Sequence, residues 1–319
     1  MHSLNKVWRG RPIEPIHVLR YGLSVYIIQS SMRHALTIDV EEYFQIHAFA
    51  GIIPASAWEG YSPAVQGNTD RILDLLDEKA VSATFFCLGW IAERNRKLVK
   101  AIHARGHEIA CHGHMHQVIT SQDPDTFRRD VSRAKDVLED CIGDRVIGYR
   151  APTYSITGST LWALNILEEL GFKYDSSIFP IYHDYYGIPD APRVPHRIEG
   201  SSLVEFPIST LKIGPVNIPV SGGGYFRLLP YCVIRTALRR LQRQGDPFVF
   251  YIHPWELNPD TPRVAGASLL SRFRTYTGIN RSFTRFSRLL GDFAFTTVRT
   301  TLADCGLLDK QHDSAGMNN

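Results

Sequence analysis

The sequence predicts an α/β fold built from successive β-α units. Short apolar runs, rich in β-branched and aromatic residues, alternate along most of the chain with amphipathic segments of helical period. Several of these runs are followed directly by charged residues or histidine. Such positions are typical of the carboxyl ends of strands, where α/β folds place their chemistry.

The first predicted strand is the apolar run R-H-A-L-T-I-D-V at 33–40. Similar runs predict strands at residues 81–88, 108–111, 145–149, 172–175, 203–206, 247–252 and 293–298. Apolar stripes at helical spacing predict helices at residues 68–79, 91–105, 124–141, 159–170, 231–244 and 280–290. The helix at 124 has the clearest start, because Asp123 can cap it and Pro124 can occupy its first position. The run S-G-G-G at 221–224 lacks the G-K-[ST] ending of a phosphate loop and predicts an ordinary loop.

Length and composition favour a globular protein with a sizeable core. The chain has 319 residues, of which 44% are hydrophobic and 21% charged. A net charge of +3 is too small to indicate a nucleic-acid partner. The five cysteines are odd in number, widely spread and without a C-x-x-C pair, which argues against a disulfide framework or a structural zinc knot.

The organisation of the chain is predicted as three parts. Residues 1–31 are an N-terminal extension of low order, or reflect an upstream start assignment with Met32 as the natural beginning. Residues 32–305 form a single domain, and residues 306–319 a disordered tail. No apolar run approaches about 18 residues, and residues 16–28 lack a convincing cleavage site, so neither a transmembrane helix nor a signal peptide is predicted. A cytoplasmic location follows as the default expectation.

Three histidines, His112, His114 and His116, lie within five positions of the stretch G-H-E-I-A-C-H-G-H-M-H-Q. Neutral imidazole is a common ligand of zinc and similar ions. A continuous strand would place all three on one face, whereas a helical turn would bring only His112 and His116 together. Because Gly113 interrupts the short strand, the pair His112 and His116 is favoured. A polar loop with clustered histidines is the alternative.

Further polar residues lie at or just beyond other predicted strand ends: Asp39 with Glu41, Arg150, Asp175 and His253. One carboxylate and two imidazoles could hold an ion, a second carboxylate could accept a proton, and a histidine could give one to a leaving group. Each residue also has a structural interpretation. Asp175 could cap a turn, Arg150 could form a surface ion pair, and His253 could be a core histidine.

Five motifs in order resemble one family. They are T-I-D-V-E-E-Y-F at 37–44, H-x-x-x-H at 112–116, R-x-P at 150–152, D-S-S at 175–177 and the strand ending in His253-Pro254. The chain resembles the polysaccharide deacetylases of carbohydrate esterase family 4, also called the NodB-homology domain. The nearest likeness is the exopolysaccharide-locus branch, associated with PEP-CTERM and exosortase systems, whose C-terminal extension would begin near residue 256. The resemblance implies a distorted (β/α) barrel of about seven strands.

The resemblance also implies roles for the polar residues at the strand ends. Asp39 would be the general base, oriented by Arg150. His253 would be the general acid, tuned by Asp175. In the third motif Thr153 replaces the usual aromatic residue, but its backbone N–H could still stabilise an oxyanion, because this does not depend on the side chain.

The metal ligands implied by the resemblance are His112, His116 and one carboxylate. The common family motif has two adjacent aspartates, base then ligand, whereas Val40 occupies the second place here. Because Asp39 and Glu41 share a face of a strand, Glu41 is expected to be the ligand, with Glu42 as the second choice. The ion is expected to be divalent, with Zn²⁺ the first choice.

The implied function is removal of N-acetyl groups from amino sugars of a polysaccharide, or of its oligosaccharide or lipid-linked precursor, with release of acetate. The expected partner is an N-acetylated glycan, and an association with a membrane-bound polysaccharide assembly system is also implied. Two alternatives stay open. One is an amidohydrolase of the same fold that acts on a small non-sugar amide. The other is a catalytically silent carbohydrate-binding protein.

Overall fold

The computed structural model describes residues 32–183 and 185–310. The predicted extension at 1–31 and the predicted tail beyond 310 lie outside the described residues. The part of the tail at 306–310 is described, and here the prediction of disorder is corrected. Leu307 is buried, and its carbonyl oxygen accepts a hydrogen bond of 2.8 Å from the Arg197 guanidinium.

A curled sheet of nine strands forms the centre of the described chain. A separate two-stranded sheet pairs β8 with β9. The strands in chain order are β1 (His34–Val40), β2 (Thr84–Cys87), β3 (Glu108–Cys111), β4 (Gly148–Tyr149), β5 (Tyr174–Asp175), β6 (His196–Arg197), β7 (Val204–Glu205), β8 (Thr210–Ile213), β9 (Val216–Pro219), β10 (Val249–Ile252) and β11 (Phe295–Thr296).

The main sheet runs in the order β10, β1, β2, β3, β4, β5, β7, β6, and β11 pairs with the start of β1. All these pairs are parallel except that of β6 with β7. Because the path runs from β10 to β6 without a closing pair among the described strands, the sheet forms a half-barrel. The predicted α/β fold is therefore confirmed.

Ten α-helices accompany the strands in the described chain. They are α1 (Val65–Glu78), α2 (Gly89–Arg94), α3 (Arg96–Ala104), α4 (Pro124–Ile142), α5 (Trp162–Glu169), α6 (Gly223–Leu228), α7 (Tyr231–Gln244), α8 (Leu269–Tyr276), α9 (Ile279–Asp292) and α10 (Val298–Asp304).

Two helix predictions are corrected by the structure. Helix α1 begins at Val65, three residues before the predicted start. The single helix predicted at 91–105 is divided into α2 and α3, because Asn95 leaves the helical conformation with φ −131° and ψ 47°. The start of α4 agrees with the prediction, since the Asp123 carboxylate accepts a hydrogen bond of 2.8 Å from the Thr126 backbone N–H.

Strand β1 lies in the middle of the core, between β10 on one side and β2 on the other. All seven of its residues are buried. A strand buried on both faces reads as a nearly continuous apolar run, which explains the sequence of β1. Its C-terminal end carries Asp39 and continues into Glu41, so the core of the protein fixes the position of these two carboxylates.

The predicted loop at 221–224 instead leads into a helix, since α6 begins at Gly223. Gly222 lies against strand β10 with φ +140°, and a Cβ atom there would be 1.9 Å from the Tyr251 carbonyl oxygen. Only glycine permits this close approach of the two backbones. In the described ranges, no helix has both the length and the apolar character needed to span a membrane.

Candidate metal centre and active site

Glu41, His112 and His116 meet at the C-terminal ends of β1 and β3. One potential ligand atom from each lies within 4.8 Å of the other two, and the Glu41 Oε2 and His116 Nε2 atoms are 2.7 Å apart. The three side chains are buried, with 2% of the Glu41 and 4% of the His116 side chain exposed. A carboxylate and two imidazoles in this arrangement match the ligand set of catalytic zinc sites, in which a further position stays open.

The structure gives Val40, Glu41 and Glu42 three different surroundings. Val40 packs into the hydrophobic core. The Glu42 carboxylate accepts hydrogen bonds of 2.9–3.0 Å from the backbone N–H groups of Ala64 and Val65 at the start of α1. Glu42 therefore acts on the unpaired N–H groups of a helix N-terminus. Of the two glutamates, Glu41 alone is in the cluster with the histidines.

The histidine segment turns sharply after β3 and is held by Asp130 of α4. The Asp130 carboxylate accepts hydrogen bonds from the backbone N–H groups of His114 (2.7 Å) and Met115 (3.1 Å). Gly113 has φ +77°, and a Cβ atom there would be 3.0 Å from Asp130 Oδ2. The His114 ring lies outside the cluster, with its Nε2 atom 3.7 Å from Glu93. Asp130 is remote from the histidines in the chain and belongs to no motif, so the sequence does not indicate its contact with them.

The protonation of the candidate ligands fits a metal site. His112 Nδ1 lies 2.8 Å from the Arg150 carbonyl oxygen and can donate to it, which leaves Nε2 available as a ligand atom. Burial lowers the pKa of His112 to about 4, so its ring is neutral at pH 7. Burial alone would raise the pKa of Glu41, but the neighbouring His116 and His253 lower it to about 2. Neutral imidazole and an ionised carboxylate are the forms that bind metal.

Asp39 is held by the fully buried guanidinium of Arg150. Arg150 Nη1 donates to Asp39 Oδ1 and to Thr37 Oγ1, both at 2.7 Å. Its other nitrogens donate to the Ser176 carbonyl and hydroxyl oxygens, and its plane lies 4.1 Å from the centre of the Phe86 ring. The structural alternative of a surface ion pair is excluded for Arg150, because this side chain is completely buried. Asp39 Oδ2 remains directed towards His253.

His253 lies on the other side of the cluster, and its partner is Glu256. His253 Nδ1 lies 2.7 Å from Glu256 Oε2, and Nε2 lies 3.8 Å from Asp39 Oδ2 and 3.5 Å from Glu41 Oε1. Glu256 Oε1 in turn accepts from Arg227 Nε at 2.7 Å. Burial would lower the pKa of His253, but Glu41 and Glu256 raise it to about 9. His253 is thus positioned as a proton donor through Nε2.

The expectation that Asp175 tunes His253 is corrected by this geometry. Asp175 Oδ1 accepts a hydrogen bond from Ser177 Oγ, and its carboxyl group also lies against that of Glu205. The carboxylate beside His253 is Glu256, three residues further along a tight 3-10 turn that begins at Pro254. The spacing H-x-x-E was the one sequence signal that could have indicated this pair.

Trp255 supports the carboxylate ligand. Its indole Nε1 donates a hydrogen bond of 3.1 Å to Glu41 Oε1, and its ring stacks on His253 with a centroid distance of 5.5 Å. The sequence left open whether Trp255 is a core residue or a wall for a sugar. With 5% of its surface exposed, Trp255 is a buried residue that holds the Glu41 carboxylate and the His253 ring in position.

A cavity of about 200 Å³ gives access to the cluster. Asp39, Glu41 and His253 line it together with both histidine ligands. Thr153, whose φ is +56°, also lines this cavity. The arrangement brings a candidate base, three candidate ligand atoms and a candidate proton donor to one small cavity, which is what metal-assisted hydrolysis requires.

Two family models match adjacent parts of the chain. Residues 59–174 match the model described as polysaccharide deacetylase. Residues 176–303 match a domain of unknown function (DUF3473). The first match contains both candidate histidine ligands and Arg150, and the second contains His253, Glu256 and Arg227.

Curated relatives are similar over parts of the chain. The peptidoglycan deacetylase-like protein FGM2 of Gibberella zeae is 34% identical over 110 residues, which are 34% of this chain and 32% of that protein. A peptidoglycan-N-acetylglucosamine deacetylase of Bacillus cereus is 25% identical over 181 residues, which are 57% of this chain and 78% of that protein. The alignment thus spans about a third of the length of the first relative and more than three quarters of the second.

Solved structures share the fold over most of the chain. A polysaccharide deacetylase-like protein from Mycobacterium smegmatis has a TM-score of 0.57 at 20% identity, over 92% of this chain and 93% of that one. Puue allantoinase has a TM-score of 0.56 at 13% identity, over 92% of this chain and 95% of that one. These likenesses show that the half-barrel is a fold shared with both proteins. By sequence, residues 59–174 of this chain are similar to the polysaccharide deacetylases.

Proposed function

We propose that this protein is a metal-dependent deacetylase that removes N-acetyl groups from amino sugars of a glycan and releases acetate. The observation that carries the proposal is the cluster of Glu41, His112 and His116 between Asp39 and His253. In this proposal Asp39 is the proton acceptor and His253 the proton donor, on either side of the cluster. The curated relatives described as deacetylases supply the reaction class.

A divalent ion held by Glu41, His112 and His116 would act as a Lewis acid that polarises the amide carbonyl group and lowers the pKa of water. Zinc suits this set of nitrogen and oxygen donors, as do other divalent transition ions.

The protein's own groups would then divide the proton transfers. Asp39 Oδ2 accepts a proton from water as the water oxygen attacks the carbonyl carbon, while Arg150 holds the other carboxylate oxygen in place. The backbone N–H of Thr153 stabilises the oxyanion. As the C–N bond breaks, His253 Nε2 donates a proton to the leaving amine, and Glu256 keeps the ring in the matching orientation. The products are acetate and a free amino sugar.

We propose further that the glycan is an exopolysaccharide or its oligosaccharide or lipid-linked precursor, made by a membrane-bound assembly system. The support is the motif T-I-D-V-E-E-Y-F and the segment after residue 256, which resemble the exopolysaccharide-locus branch. One alternative is an amidohydrolase that acts on a small non-sugar amide. The similarity of this fold to that of Puue allantoinase supports it. Fold alone does not select the substrate. The presence of Glu41 in the ligand position weighs against a decayed, silent site.

The proposal predicts that Asp39→Asn abolishes acetate release but retains the metal. The purified protein, loaded with Zn²⁺, is incubated with a panel of N-acetylated oligosaccharides, and acetate and metal content are measured together. Loss of a general base typically lowers the rate by about 10²–10⁴. Asp74→Asn, on an exposed position of α1, is the matched control and should release acetate like the wild type.

A different outcome would favour an alternative. If the wild-type protein releases no acetate from any glycan while both it and Asp39→Asn bind sugar, the protein is a binding module. If acetate or ammonia is released from small amides alone, the non-sugar amidohydrolase is favoured.

A further inference from the structure

A second cavity, of about 700 Å³, opens beside the candidate metal centre. Its volume lies in the usual range for ligand sites, about 300–1,000 Å³. The two cavities share part of their walls, including His47, Tyr186 and Arg227. A ligand with one end at the metal centre can therefore extend into the larger cavity. Most of the larger cavity's wall belongs to the segment 176–303, which matches the family without an assigned function.

Aromatic rings form one wall of the larger cavity. Tyr186 stacks on Phe179 with a centroid distance of 5.8 Å and an interplanar angle of 4°. On its other side it stacks on His183 at 3.8 Å. Tyr185 and Tyr225 line the same cavity. Tyrosine offers an apolar face with a polar tip, and stacking reduces the number of conformations that Tyr186 can adopt. Such a wall suits the apolar faces and hydroxyl groups of a sugar.

The charged side chains that line the larger cavity are basic among the described residues. Arg227 and Arg274 line it, and no aspartate or glutamate does so among the described residues. Arg227 is neutralised by Glu256, its buried partner on the side of the metal centre. The Arg274 backbone is fixed, because its carbonyl oxygen accepts a hydrogen bond of 2.8 Å from Arg227 Nη2. The Arg274 side chain is exposed and lines the cavity with its positive charge. Among the described residues, no carboxylate lines the cavity beside it.

We propose that the larger cavity is a subsite for a sugar residue that bears an anionic group, a carboxylate or a phosphate, next to the amino sugar at the metal centre. Arg274 binds the anion, and Tyr186 and Tyr225 contact the ring. Guanidinium is suited to this because it can donate two parallel hydrogen bonds to a carboxylate or phosphate. The inference rests on the proposed function only for the identity of the neighbouring sugar.

Binding to the full chain with Asp39→Asn tests the subsite without turnover of the ligand. The probes are oligosaccharides of alternating N-acetylglucosamine and glucuronate, the same compounds with their carboxylates reduced to alcohols, and N-acetylglucosamine oligomers with one phosphate. Calorimetry at low salt should show about tenfold tighter binding of one anionic probe than of its neutral counterpart. The preferred probe distinguishes a carboxylate from a phosphate as the ligand.

Three further variants test the role of Arg274. Arg274→Gln should abolish the preference for the anionic probe, and Arg274→Lys should retain part of it. Arg272→Gln is the matched control, because Arg272 is an exposed arginine on α8 that does not line this cavity. Equal affinity for anionic and neutral probes would overturn the proposal. An equal loss in Arg272→Gln and Arg274→Gln would also overturn it, since the charge would then act over the whole surface.

Acetate release by the wild-type protein separates this inference from the proposed function. If no probe releases acetate but binding still depends on Arg274, the subsite stands and the deacetylase assignment fails. The opposite result is that the wild-type protein deacetylates anionic and neutral probes equally well, and that Arg274→Gln leaves the KM for both kinds of probe unchanged. The deacetylase assignment then stands and the subsite fails.

Discussion

Asp39 and Glu41 leave the end of β1 on the same side, while Val40 between them packs into the core. The alternation of side chains along a strand thus explains why Glu41, and not Val40, lies on the same side as Asp39. The Glu42 carboxylate instead accepts hydrogen bonds from backbone N–H groups at the start of α1. At the scale of single residues, the two neighbouring glutamates are therefore expected to differ in function.

Glu41→Gln should lower the affinity for zinc by tenfold or more, because it removes an ionised ligand. Glu42→Gln should keep the metal and change only stability. The measurement is zinc content after dialysis against a graded chelator. Loss of zinc in Glu42→Gln with retention in Glu41→Gln would assign the ligand to the other glutamate.

Asp175 and Glu205 form a buried pair of carboxyl groups at the paired ends of β5 and β7. Burial raises the pKa of Asp175 to about 6, and burial with the neighbouring Asp175 raises the pKa of Glu205. A pKa above its value in the unfolded chain stabilises the fold at low pH, below about 4. This contribution is lost as the pH rises through 6. The pair is thus expected to share a proton near neutral pH.

Asp175→Asn should therefore become more stable relative to the wild type as the pH rises from about 4 to 8, by on the order of 2 kcal/mol. The asparagine amide can donate to Glu205 without a shared proton. Urea unfolding of both proteins across this pH range gives the difference in the free energy of unfolding. A difference that does not vary with pH would show that the pair holds no extra proton.

The segment between β3 and α4 carries the two candidate histidine ligands, His112 and His116. It is an irregular turn, and its shape comes from the Asp130 carboxylate, the positive φ of Gly113 and the φ of +51° at His116. A residue other than glycine in this backbone region costs roughly 1–2 kcal/mol.

Gly113→Ala should weaken zinc binding as well as stability, since its new Cβ atom would be 3.0 Å from Asp130 Oδ2. Gly106→Ala is the matched control. Its φ is +80°, but nothing lies within 4 Å of a Cβ atom there, so stability alone should fall. Zinc titration and thermal unfolding of both variants check this. Unchanged zinc affinity in Gly113→Ala would mean that the turn can adapt.

At the scale of the whole molecule, the C-terminal segment is integrated into the half-barrel. Strand β11 pairs with β1, and residues of α10 are part of the core beside β10. Glu256 connects His253 to Arg227 of α6, which also donates to the carbonyl oxygens of Arg274 and Thr277. The two regions matched by different family models thus share one sheet and one site.

Unfolding is therefore expected to occur in a single cooperative transition, with equal calorimetric and van't Hoff enthalpies. Differential scanning calorimetry on the full chain measures both. Two separate transitions would show that the region around 176–303 unfolds independently of the first part.

The sequence by itself determined the local features of this protein. The alternation of apolar runs predicted the α/β fold, and strand-end positions identified Asp39, Arg150 and His253. The choice between Glu41 and Glu42 was predicted from strand alternation alone. These features depend on neighbours along the chain, so periodicity and spacing are enough to indicate them.

Only the tertiary structure decided which distant residues meet. The partner of His253 is Glu256 and not Asp175, Asp130 shapes the histidine turn, and Trp255 holds Glu41. Arg274 of α8 lines the second cavity, where its carbonyl oxygen accepts a hydrogen bond from Arg227 of α6. Such contacts depend on how strands curl and helices pack, and a single side chain leaves no periodic signal of its distant partner. The physical reason is that local preferences fix the elements, whereas burial and hydrogen bonding across the core fix the site.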